Sequence, residues 1–95
     1  MEVGIRLSGN GMLPGTEATF TENVSARGAR VLSSRRWKVN DQLTIATLTG
    51  SFHSLARVAY CLPQSDAGFA VGVEFLDPKG NWVVSRSSAE ALVAS

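Results

Sequence analysis

The chain has 95 residues, 44% hydrophobic and 18% charged, which sets a single folded domain over residues 1–95 and excludes a disordered segment. Nine Lys and Arg against eight Asp and Glu leave a net charge of +1, which argues against bulk electrostatic binding to DNA. One cysteine, Cys61, and one histidine, His53, exclude an internal disulfide and a Cys/His metal cluster. The longest apolar run, Ala67 to Val73, is far short of the ~18 residues that span a bilayer, and Glu2 and Arg6 interrupt any signal-peptide pattern. No membrane partner and a cytoplasmic location are therefore expected.

Period-2 alternation dominates, broken by turn residues at intervals typical of small barrels and sandwiches. A first strand is predicted over Val3–Ser8, stopped by Gly9-Asn10-Gly11. Leu13-Pro14-Gly15 turns the chain into a second strand over Glu17–Val24, with Ala18, Phe20 and Val24 on one face and Thr19 and Thr21 on the other. The third, Ala29–Ser33, sets Ala29 and Val31 against Arg30 and Leu32. Val39-Asn40-Asp41 makes a tight turn with Asn40 in a left-handed position, and Leu43–Leu48 follows as a strand.

Phe52–Leu62 is long enough to bend, with Ala56, Val58 and Tyr60 on one face and Arg57 and Cys61 on the other. A hairpin loop over Gln64–Gly68 leads to Phe69–Leu76, whose Phe69, Val71, Val73 and Phe75 point inward. Gly72 in that strand marks a bulge or a close approach of another group. Asp77–Asn81 ends the sheet, Trp82-Val83-Val84 adds a short edge or plug, and Ser87-x-x-Glu90 starts a short C-terminal helix over Ser88–Ala94. The resulting fold class is all-β, a six-stranded antiparallel barrel whose closure removes exposed edges.

The densest chemistry lies where the second predicted strand gives way to the third. Asn23, Ser25, Arg27, Gly28 and Arg30 place an amide, a hydroxyl, a glycine and two guanidiniums within eight residues. Such a junction can hydrogen-bond the edge of a flat polar ligand while the glycine admits close backbone contact. Between Arg27 and Arg57 six cations face Asp41 alone, a local excess that favours a phosphodiester anion.

The pattern Asn23-x-Ser25-x-x-Gly28 resembles the second signature of PilZ domains, bacterial receptors for cyclic di-GMP. The turn before Asp41 and Leu43 and the strand Val71-Gly72-Val73-Glu74-Phe75 are also similar to that family, so the likeness spans roughly residues 3–77. The resemblance implies a six-stranded barrel that holds cyclic di-GMP on its outer surface. In it, the residues matching Asn23, Ser25 and Gly28 meet a guanine. It also implies an Arg-x-x-x-Arg arm ahead of the first strand, because a guanidinium fork pairs bidentately with guanine O6 and N7 or with phosphate.

This sequence departs from the family there: Arg6 is the only arginine before Arg27, Glu2 stands four residues upstream of it, and Ile5 and Leu7 place it within a strand. Losing two bidentate contacts of ~1–3 kcal/mol each weakens binding by about 30-fold to more than 10⁴-fold. Arg27 and Arg30, with Arg6, are the candidate replacements.

Arg35-Arg36-Trp37-Lys38 interleaves an aromatic with cations, which suits either base stacking, as in an RNA-binding barrel, or a lid over a barrel end. His53 and Cys61 read as packing or surface residues. No carboxylate pair, phosphate loop or nucleophile–base pair is present, so no enzyme and no cofactor are expected. The leading expectation is a cyclic di-GMP receptor or adaptor module. The alternative is a nucleotide-independent PilZ-like module that contacts another protein or another domain of the same chain.

Overall fold

The alternating pattern becomes seven strands in the computed structural model, which describes residues 2–9, 15–64 and 68–83. They are β1 (Gly4–Ser8), β2 (Thr16–Ser25), β3 (Gly28–Ser33), β4 (Gln42–Thr47), β5 (Phe52–Pro63), β6 (Phe69–Phe75) and β7 (Lys79–Gly80). The order around the sheet is β4-β1-β2-β3-β6-β5, all antiparallel, and pairing of β4 with β5 closes the cylinder. The predicted six-stranded barrel is therefore present, and closure leaves none of the six with an unpaired long edge. Lys79–Gly80, expected only as the end of the sheet, adds a two-residue strand against Phe52 and His53. The predicted C-terminal helix lies outside the described residues, as does the centre of the Gln64–Gly68 loop. Among the described residues no helix is long and apolar enough to cross a membrane.

Ile5 and Leu7 fix which face of the wall is inside. Both are fully buried, and the residues opposite them on β2 are Thr19 and Glu17. Directly opposed residues share a face. β2 thus turns Thr19 and Thr21 inward and leaves Phe20 54% exposed, although its aromatic ring would otherwise favour the core. Thr21 is tolerated inside because its hydroxyl accepts the Val3 N–H at 2.9 Å.

Two bulges alter the predicted faces. The β2–β3 register shifts between Thr21 and Asn23, so Val24 opposes inward Ala29 and joins the face of Thr21, not that of Ala18 and Phe20. The β5–β6 register shifts between Val58 and Tyr60. Tyr60 therefore opposes outward Gly72, and Cys61 opposes Val71 and packs against the core. The expectation that Tyr60 shares the face of Ala56 and Val58 is thereby corrected: one extra residue in a strand reverses every side chain beyond it.

Aromatic groups close the interior. Trp37, from the connection between β3 and β4, is 2% exposed, and its indole N–H donates to Ser33 Oγ at 3.1 Å. Trp82 packs on Phe52 and Phe75 with ring centroids 4.9 and 5.0 Å away, which fulfils the plug expected after the last strands. Its own indole N–H reaches the Ser25 carbonyl at 2.7 Å and so ties that plug to the β2–β3 turn.

Ser33 is fully used: its hydroxyl donates to Glu17 Oε1 at 2.7 Å and also accepts the Arg35 N–H at 3.0 Å. Burial pushes the Glu17 carboxyl up, but the Ser34 N–H, the Ser33 and Ser34 hydroxyls and the Arg35 charge together hold it below its ordinary value. A depressed folded-state value stabilises the fold above the ordinary carboxylate range, and that stabilisation disappears as pH falls through the folded value. Denaturant melts of wild type and Glu17→Gln across pH 7 to 2 should converge toward low pH, with wild type the more stable at pH 7. Parallel curves would contradict this account of Glu17.

Candidate nucleotide-binding groove

The β2–β3 turn is held from three sides. Ser25 opposes Gly28 across a two-residue loop, the Arg27 carbonyl accepts the Phe75 N–H at 2.8 Å, and Trp82 holds the Ser25 carbonyl. A side chain at Gly28 is impossible without movement, because a Cβ there would lie 2.1 Å from the Val73 carbonyl oxygen. Gly28 therefore lets the β3 and β6 backbones approach.

Register then sets out the outer wall in two rows. One runs Asn23, Arg30, Gly72, Tyr60 across β2, β3, β6 and β5, and the next runs Ser25, Gly28, Glu74, Arg57. The two bulges bring Asn23 and Tyr60 into the first row. An open groove of about 420 Å³ lies along these rows and takes in Asn23, Ser25, Arg27, Gly28 and Arg30 together, five of the six sequence candidates. Arg6 is not among its lining residues: it sits on β1 between Ala18 and Ala46.

The side chains of the motif have definite partners. Asn23 accepts the Val24 N–H on its side-chain oxygen at 2.9 Å, which leaves the amide NH₂ to donate outward. The Ser25 hydroxyl makes a long contact, 3.4 Å, to the Gly28 carbonyl. Arg30 donates from Nε to Glu22 at 3.1 Å and lies 6.0 Å from the centre of the Tyr60 ring. The hydrogen bond to Glu22 leads the causes that raise the Arg30 guanidinium above its ordinary value, so it is cationic at any physiological pH.

Three residues that line the groove were not among the sequence candidates. Tyr60 was expected inside, and only the bulge turns it out over Gly72, where a Cβ would fall 2.1 Å from its ring. Gly72 was flagged for a close approach, and the Tyr60 ring supplies it. Glu74 was read merely as the outward member of an alternating strand. It ion-pairs with Arg57 at 3.8 Å, and Arg57 in turn donates to Asn40 Oδ1 at 2.8 Å. Asn40 has the predicted left-handed backbone, with φ of 74°.

The basic block does not form one patch. Arg30 and Arg57 face Glu22 and Glu74, and burial of Trp37 removes the ring that base stacking by the Arg35–Lys38 run would need. His53 is exposed on β5, and among the described residues no three His, Cys, Asp or Glu side chains gather as metal ligands.

A second groove, about 630 Å³, adjoins the first and shares Arg27 and Glu74 with it, bordered otherwise by Phe52, Phe75 and Trp82. Compared with family models, curated proteins and solved structures, the chain matches none.

Proposed function

We propose that this groove is a nucleotide shelf and that the chain acts as a PilZ-like receptor or adaptor module for cyclic di-GMP. The observation that carries the reading is the convergence of Asn23, Ser25, Arg27, Gly28 and Arg30 on one open groove of a closed barrel. The Asn23 NH₂ and the Arg30 guanidinium donate to guanine O6 and N7, Ser25 offers a hydroxyl, and Arg27 neutralises a phosphate. Glu22 competes for Arg30, and among the described residues no second arginine pair lines the groove, so binding is weak.

Isothermal titration with cyclic di-GMP at about 100 μM tests the reading. Saturable heat is expected, reduced about fivefold or more in affinity by Arg30→Ala and by Asn23→Ala, each of which removes a ~1–3 kcal/mol contact. No heat from a folded wild type would defeat the proposal, leaving the nucleotide-independent interaction module as the standing expectation. Recovery of a partner protein that is unchanged by the nucleotide and by Asn23→Ala would point the same way.

A further inference from the structure

Glu74 is the feature of the groove that a phosphate-binding surface does not need. It stands on β6 across Gly28 from Ser25, so the two side chains are separated by two strand spacings, roughly 10 Å, with only backbone between them. Its carboxylate is steadied by a chain from Asn40 through Arg57 and still has a 54% exposed side chain. For an anionic ligand this acid is a liability unless it meets donors.

Among the nucleobases guanine has such an edge: N1–H and N2–H lie side by side and can bond both oxygens of one carboxylate, whereas adenine sets an acceptor at N1 beside its amino group. Asn23 and Arg30, donors on the adjacent row, suit the O6 and N7 acceptors of the same ring.

We propose that Glu74 is the specificity-determining residue of the groove. It receives the N1–H and N2–H of a guanine lying over Gly28 and rejects adenine. The inference rests on the nucleotide-shelf reading and assigns the base edge within it. Arg27 and Arg30 take the phosphate and the O6/N7 side, so the acid and the phosphates are kept apart.

Amide NMR of the full chain titrated with GMP and, separately, AMP tests it. GMP is expected to shift the Gly28, Tyr60, Gly72 and Glu74 amides at about tenfold lower concentration than AMP does, and Glu74→Gln is expected to remove that preference. Glu74 is exposed, so the variant keeps the wild-type spectrum apart from its ion-pair partner Arg57 and Asn40 beyond it. An equal response to both nucleotides, no response to GMP, or a preference that survives Glu74→Gln would overturn the assignment.

Cyclic di-GMP in the same series separates the two ideas. If it binds wild type and Glu74→Gln equally, the shelf stands and the role of Glu74 falls. If wild type ignores it yet shows the Glu74-dependent choice of GMP, the cyclic-dinucleotide reading falls and guanine recognition stands.

Discussion

Phe52→Ala is expected to remove a large share of the stability of this domain. The ring is 1% exposed and contacts both Phe75 and Trp82, with centroids 5.0 and 4.9 Å away. Truncating a buried phenylalanine costs ~3–5 kcal/mol, against a total of only ~5–15 kcal/mol for a domain of this kind. The loss extends past the core, because Trp82 loses its seat and with it the bond to the Ser25 carbonyl that anchors the motif turn. Urea unfolding followed by tryptophan fluorescence measures this. A midpoint within ~1 kcal/mol of wild type would show that the ring cluster is not a main support of the barrel.

Gly28→Ala is the second large effect. The new methyl would meet backbone, the Val73 carbonyl oxygen at 2.1 Å, so the β3–β6 pair must part. A cost of ~3 kcal/mol follows, at the upper end of overpacking effects, with a fall in melting temperature of at least ~10 °C. Gly72→Ala makes a useful contrast: its methyl would meet the Tyr60 ring, a side chain that can swing aside. That variant should stay within ~1 kcal/mol of wild type and move the Tyr60 ring from its place 6.0 Å from the Arg30 guanidinium. Equal destabilisation by the two substitutions would mean that the backbone approach at Gly28 carries no special constraint.

The difference between these glycines also marks what the sequence could reveal. Clean alternation from Phe69 to Phe75 and from Ala29 to Ser33 was enough to place β6 and β3, to separate the faces of both and to turn Val71, Val73 and Phe75 inward. Asn40 could be assigned its left-handed turn because few other residues tolerate it. Bulges defeat such reasoning, since the extra residue looks like any other in a strand. The face of Tyr60 was lost in this way, and with it a wall of the groove.

Phe20 marks a different limit: alternation sets it on the face of Ala18 but does not say which face lies inside. Its orientation is dictated by Ile5 and Leu7 on the neighbouring strand, a constraint that does not exist until β1 and β2 are paired. The motif residues were legible as a set, but their convergence with Glu74 and Tyr60 depends on the order β2-β3-β6-β5, which joins segments some thirty to fifty residues apart.

The most direct measurement is an amide NMR map of the intact chain as cyclic di-GMP is added. The account predicts saturable shifts centred on Asn23, Ser25, Arg27, Gly28 and Arg30, extending to Tyr60, Gly72 and Glu74, with the outer face around Arg6 and Phe20 unmoved. An unchanged spectrum, or shifts confined to the β1–β4 side of the barrel, would contradict it.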